Sequence, residues 1–179
     1  MAQLVIFDKD GVILDLQATW LPVARAVAAH TVTLIPAVGG IMSEITTADL
    51  LHAIGVDDQR GHIDPKGIFA TGSFAQMRAK WQAMLPPQMI DLEHDQAYRD
   101  AVQTIVHKQT RQTTKAKGDV VTPLHALYQN GYQLALVTND SESSARQSLD
   151  DLGIADLFCA IVGADSGFGS KPDPDGLLH

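Results

Sequence analysis

The sequence predicts an α/β fold in which a parallel sheet is interrupted by a helical insert. Three short runs, at residues 3–7, 134–138 and 157–162, are apolar nearly throughout, the pattern of strands covered on both faces. A helical stretch separates the second run from the third, which gives strand, helix and strand in order. Between the first run and the second lie about a hundred residues, far beyond what a parallel crossover needs. The insert is therefore expected to be a domain of its own over residues 15–118, with the sheet built from 1–14 and 119–179.

The first run, Gln3 to Phe7, ends at Asp8, and Asp10-Gly11 supplies a turn signal. The second, Leu134 to Thr138, follows a helix expected over Pro123 to Asn130 and is introduced by the helix-stopping pair Asn130-Gly131. Asn139-Asp140-Ser141 then offers N-capping chemistry for a helix from Glu142 to Leu152, closed by Gly153. The crossover should be right-handed. Ligands of such sheets gather outside the carboxyl ends of the strands, so Asp8 and Thr138 are predicted to meet.

Within the insert, apolar residues at helical spacing occur around Trp20 to Ala28, Leu50 to Ile54, Phe74 to Leu85, and Tyr98 to Val106, predicting four helices with Trp20 and Trp81 in the core. Pro36, Gly39-Gly40, Gly55, Gly61, Pro65, Gly67, Gly72 and Pro86-Pro87 mark the turns between them. Gly67 to Ser73 could form a helix N-terminus facing an anion, against the plainer reading of a capped turn.

Composition narrows the class. The 179 residues are 45% hydrophobic and 19% charged, the balance of a globular chain. A net charge of −8 argues against nucleic-acid or anionic-membrane partners. Lys108, Arg111, Lys115 and Lys117 form the one basic stretch and read as a solvated helix end. No apolar run is long enough to span a membrane, and the N-terminus meets Asp8 and Lys9 too early for a signal core, so a cytoplasmic protein is expected. Cys159, in an apolar run, reads as a buried thiol. His30, His52, His62, His94, His107 and His125 show no metal-ligand spacing.

Three segments carry candidate chemistry. In Phe7-Asp8-Lys9-Asp10-Gly11-Val12, two carboxylates one residue apart can face the same phosphate ester. Asp8 can attack phosphorus, and Asp10 can protonate the leaving alcohol and then deprotonate water. Gly11 lets the chain bend so that both reach one point. Two acids facing a phosphate dianion need countercharge, and Mg²⁺ suits carboxylate, carbonyl and water ligands. At the end of the second strand, Thr138 and the helix start after it can hold phosphate oxygens, although a capping role alone is the simpler reading. In Gly169-Ser170-Lys171-Pro172-Asp173-Pro174, the lysine can neutralise both the nucleophile and the transferring group, and the prolines stiffen its loop.

Taken together in this order, these segments resemble motifs one to three of the haloacid dehalogenase-like superfamily, over residues 4–14 and about 119–176. The subgroup most similar is phosphoglycolate phosphatase-like. The resemblance implies a Rossmann-like core with a helical C1-type cap at the insert. It further implies Asp8 as nucleophile and metal ligand, Asp10 as acid/base and metal ligand through its carbonyl, Thr138 and Asn139 as phosphate binders, and Lys171 as the stabilising cation. A cap of this kind would carry specificity and turn on hinges near Leu14 to Gln17 and Gly118 to Val121.

The expected activity is Mg²⁺-dependent hydrolysis of a small phosphorylated metabolite. A phosphomutase shares the core, whereas dehalogenation would leave Asp10 unused. Lys9 and Val12 depart from the family pattern, and the fourth motif, which completes the metal site on a further strand, is not found before His179. Two readings follow: a fragment of a longer enzyme, or a core completed by a second chain, acting in either case as an enzyme or as a binding module. Asp165 could lean toward a metal or simply close an Asx turn.

Overall fold

The computed structural model describes residues 3–35, 45–85, 90–169 and 171–178. The turns expected at Pro36, Gly39-Gly40 and Pro86-Pro87, and the loop residue Ser170, lie outside them. In chain order the elements are β1 (Leu4–Phe7), α1 (Leu16–Thr33), α2 (Thr47–Ala53), β2 (Val56–Asp57), β3 (His62–Ile63), α3 (Ile68–Thr71), α4 (Phe74–Gln82), α5 (Gln96–Thr113), α6 (Val121–Gln129), β4 (Gln133–Val137), α7 (Glu142–Asp151), β5 (Phe158–Val162) and α8 (Asp175–Leu178). The chain divides into two compact units, one made of residues 1–19 and 110–179, the other of 20–109.

The first unit is a parallel α/β layer. β1 pairs with β4 and β4 with β5, all parallel, in the order β1-β4-β5. β4 is central, and Leu134, Ala135, Leu136 and Val137 are all buried. Leu124 of α6, Ala145 and Leu149 of α7, and Ile13 and Leu14 complete the core, with Phe7 set edge-on to Phe158 at 6.2 Å between ring centroids. α6 starts two residues before the expected Pro123, because Asp119 Oδ1 accepts the Thr122 N–H at 3.2 Å and gives the helix an earlier beginning. α7 begins where expected, capped by Ser141, whose Oγ accepts the Ser144 N–H.

Two expectations change. Both faces of the sheet were expected to be covered, yet β1 alternates: Val5 and Phe7 pack on the core, while Leu4 and Ile6 are 53% and 37% exposed. Cys159 was expected to be buried and is exposed. The β4–β5 register slips by one residue, Leu134 facing Phe158 and Ala135 facing Ala160, so Cys159 falls in a bulge. A bulge breaks the in-out alternation, which turns both Cys159 and Ala160 away from the core.

The linkers into and out of the insert pair with each other. Leu14 and Ala116 form an antiparallel bridge; the Asp15 N–H donates to the Lys115 carbonyl at 2.8 Å, and the Lys117 N–H to the Ile13 carbonyl at 2.9 Å. Thr19 adds its hydroxyl and carbonyl to the same ladder, receiving Lys115 N–H and Thr113 Oγ1. The segments read as hinges are therefore partly a two-stranded stitch.

The second unit is helical. Its four expected helices are present as α1, α2, α4 and α5. The sequence reading did not foresee the short antiparallel pair β2–β3. Trp20, Val23, Ala24, Val27 and Ala28 line the buried face of α1, and Trp81 is fully buried, its Nε1–H donating to the Leu50 carbonyl at 2.8 Å. Tyr98 and Thr31 share a buried hydroxyl contact of 2.8 Å. The Gly67 to Ser73 segment folds as α3, four residues long, followed by a Ser73/Gln76 capping box that starts α4.

α2 opens on a capping box between Thr46 and Asp49. The Thr46 hydroxyl and backbone N–H both donate to Asp49 and hold its carboxyl below the ordinary value. A folded-state pKa below the unfolded one gives stability that is present above the usual carboxylate range and lost as pH falls through the lowered value. The melting temperature of the wild-type chain should therefore fall below about pH 4, and Thr46→Ala should flatten that acid limb. Parallel limbs in melts followed by circular dichroism would show that the box contributes nothing.

Candidate active site

The tips of β1, β4 and β5 bring together residues that are far apart in sequence. Asp8 follows β1 directly, with its Oδ1 accepting the next backbone N–H, that of Lys9, at 2.8 Å. The chain then turns tightly: the Lys9 carbonyl accepts from both Ile13 and Leu14, and Gly11 donates to the Leu14 carbonyl. Gly11 has φ +79°, a backbone region that side-chain-bearing residues rarely adopt, so the glycine is what permits the turn.

Lys171 reaches this turn from the loop after β5. Its Nζ lies 2.5 Å from Asp8 Oδ1 and 3.2 Å from the Val137 carbonyl at the end of β4. Asn139 fixes the loop from the opposite side: its Oδ1 accepts the Lys171 N–H at 2.7 Å, and its Nδ2 donates to the Lys171 carbonyl at 3.1 Å. Both ends of this side chain are thus occupied by the lysine's own backbone. Asn139 was expected to bind phosphate; in this arrangement its amide first of all sets where Lys171 stands.

Thr138 is buried, its N–H donating to the Val162 carbonyl and its Oγ1 accepting the Asp140 N–H at 3.2 Å. Gly163 follows Val162 where β5 passes the start of α7; an added Cβ would stand 2.2 Å from the Glu142 nitrogen, so a glycine is required there. Asp165 makes a longer-range bond in place of the local Asx turn considered from sequence. Its Oδ1 accepts the Glu142 N–H at 2.8 Å, 23 residues away, and so anchors the loop to the first turn of α7.

Three residues at the site were not recognised from sequence. Lys9 was noted only as a cation beside the acids, yet it is fully buried, with Nζ 2.6 Å from Asp140 Oδ2 and 3.3 Å from Asp10 Oδ2. Burial opposes its charge, but the Asp10 and Asp140 carboxylates outweigh that opposition and hold the ammonium above its ordinary pKa. Asp140 was read as capping chemistry; Ser141 takes that place and Asp140 faces Lys9. Lys117, read as part of a solvated stretch, donates through Nζ to the Gly11 carbonyl. Only the alternation of charge in Asp-Lys-Asp hinted at the first of these.

Among the described residues, no group of three or more His, Cys, Asp or Glu side chains is arranged to hold a metal. The oxygen donors assigned to it, the Asp8 carboxylate and the Asp10 carbonyl, nevertheless suit a hard cation. Such ions commonly take one or two carboxylates and complete their shell with phosphate oxygens and water. Asp8 is 44% exposed at its side chain, which leaves its second oxygen open to such partners.

A parallel sheet whose strand tips gather two aspartates, a buried threonine and a lysine defines an α/β protein with its polar site at the carboxyl ends of the strands. The haloacid dehalogenase-like hydrolase family model matches residues 2–179, and the chain belongs to that family. A phosphoglycolate phosphatase of Cereibacter sphaeroides is 47% identical over 51 residues, 28% of this chain and 23% of that protein. One from Aliivibrio fischeri is 30% identical over 100 residues, 56% of this chain and 44% of the relative. The matches thus span less than half the length of these curated relatives.

Solved structures share the fold. A predicted phosphoglycolate phosphatase from Haemophilus somnus superposes with a TM-score of 0.62 at 21% identity, covering 99% of this chain and 69% of that one. A HAD-superfamily hydrolase from Geobacter sulfurreducens gives 0.52 at 16% identity, covering 99% and 70%. No helix among the described residues is long and apolar enough to cross a membrane.

Proposed function

We propose that the chain carries the site of a phosphatase that hydrolyses a small phosphomonoester of the phosphoglycolate type through an aspartyl phosphate. The observation that supports this most is the ion pair between Lys171 Nζ and Asp8 Oδ1, at 2.5 Å across 163 residues of sequence. A lysine held on a carboxylate by its own clamped backbone does little for stability at such exposure. It does suit a nucleophile that must approach an anion.

In this reading the Asp8 oxygen not held by Lys171 attacks phosphorus. The bond from phosphorus to the ester oxygen breaks, and the departing alkoxide takes a proton from Asp10. Water then attacks the same phosphorus after giving its proton to Asp10; the acyl-phosphate bond breaks, phosphate leaves, and Asp8 is restored as a carboxylate. Lys171 balances the negative charge that shifts between Asp8 and the phosphoryl oxygens. Thr138 and the Asn139 backbone N–H are assigned the phosphoryl oxygens. A Mg²⁺ ion bound by the Asp8 carboxylate and the Asp10 carbonyl would supply the countercharge that two acids and a dianion require. By the same family resemblance, leaving-group specificity is assigned to the helical unit.

Phosphate release from 2-phosphoglycolate and from a panel of other small phosphomonoesters is the test. Release is expected with saturating MgCl₂, abolished by EDTA and restored by added Mg²⁺. No release from any ester, or release indifferent to EDTA, would end this reading.

A further inference from the structure

The buried ammonium of Lys9 has no need to be where it is. An apolar side chain could fill a fully buried position without the cost of desolvating a charge. The charge is kept, and it is kept between two carboxylates, Asp140 Oδ2 at 2.6 Å and Asp10 Oδ2 at 3.3 Å. Asp140 in turn is fixed on several sides: its Oδ1 accepts the Ser141 N–H at 2.8 Å, its own N–H donates to Thr138 Oγ1, and its carbonyl accepts the Ala164 N–H at 2.9 Å. The tip of β4 and the loop after β5 thereby hold Asp140, Asp140 holds the ammonium, and the ammonium reaches the acid that follows β1.

We propose that Lys9 is a positioning residue for Asp10, anchored by Asp140, which holds the Asp10 carboxylate in the orientation that proton transfer to the leaving group needs. This rests on the phosphatase reading above, in which Asp10 is the acid and base. A general acid a fraction of an ångström out of line loses much of its effect, and misplacement of about 1 Å can cost on the order of 100-fold in rate. The ammonium fixes only two of the reacting partners' degrees of freedom, the side-chain torsions of Asp10. The loss should therefore fall on proton transfer and spare substrate binding.

The test compares the wild-type chain with Lys9→Met/Asp140→Asn, a double change that leaves no buried carboxylate unpaired. An alkyl ester needs its leaving oxygen protonated, whereas a p-nitrophenolate leaves almost unaided. The kcat/KM for 2-phosphoglycolate should fall about 10- to 100-fold, that for p-nitrophenyl phosphate several-fold less, with KM for both nearly unchanged. Equal losses on the two esters, or none, would overturn the proposal, since a merely structural role does not distinguish leaving groups.

Crystal structures of the same proteins provide a readout independent of turnover. Asp10 should leave its wild-type rotamer in the variant; an unmoved Asp10 overturns the proposal whatever the rates. If the double variant does not fold, Asp140→Asn alone weakens the anchor, and a smaller change in the same direction is expected on both readouts, with no change on either overturning the proposal. Should wild type fail to release phosphate, the phosphatase reading falls, and the Asp10 rotamer still decides the role of Lys9.

Discussion

Asp8→Asn is expected to lower phosphomonoester turnover by about 10⁴- to 10⁶-fold, the scale on which enzymes lose activity when a covalent nucleophile is removed. The amide has the shape of the carboxylate, so the Lys9 N–H can still donate to its oxygen as it does to Asp8 Oδ1. Fold and solubility should survive. An amide oxygen is a far poorer nucleophile, and it no longer offers Lys171 a charge at 2.5 Å. Phosphate release under saturating Mg²⁺ gives the rate, and a covalent phosphoryl label on the wild-type chain, absent from the variant, gives the intermediate. A variant that keeps a tenth of the wild-type rate would remove Asp8 from the nucleophile's place.

The second large effect is expected at Lys171. Lys171→Met should lower kcat by about 10²- to 10³-fold, the range found when a preorganised charge-stabilising donor is lost. The methionine keeps most of the stem, and the loop should stay in place, because the Asn139 amide binds the backbone of residue 171 and not its side chain. The ion pair itself is substantially exposed, 31% at Lys171 and 44% at Asp8, so its loss should hardly move the melting temperature. A large fall in rate with a steady melting point is the expected combination. A rate within threefold of wild type would show that Lys171 does not face the reacting group.

Much of this arrangement was legible in the sequence because short-range chemistry and long-range topology agreed. The apolar run Leu134 to Val137 could only be a covered strand, and it is the central one; Asp8 and Thr138 close strands that pair in parallel, so their meeting followed from the order of elements. What stayed hidden depended on single side chains choosing among partners. Asn139 and Asp140 are neighbours with the same capping propensity, and nothing local says that one would clamp a backbone while the other bound a buried lysine. Cys159 looked like its apolar neighbours, and its exposure came from a one-residue slip in strand register that composition does not encode. Leu4 and Ile6 read as buried for the same reason: a run of apolar residues does not reveal which of its faces will be covered.

The bridge between Leu14 and Ala116 also bears on how such a chain can be assembled. The chain leaves the sheet at Leu14 and returns to its immediate neighbour, so to the sheet an excursion of about a hundred residues looks like the bend of a hairpin. Loop-closure entropy grows only with the logarithm of length, and here the local ladder offsets part of it. The length of the intervening unit therefore weighs little on the closure cost that the sheet must meet. A core of this kind can exchange one insert for another of different length without its strand tips, and the acids they carry, having to move.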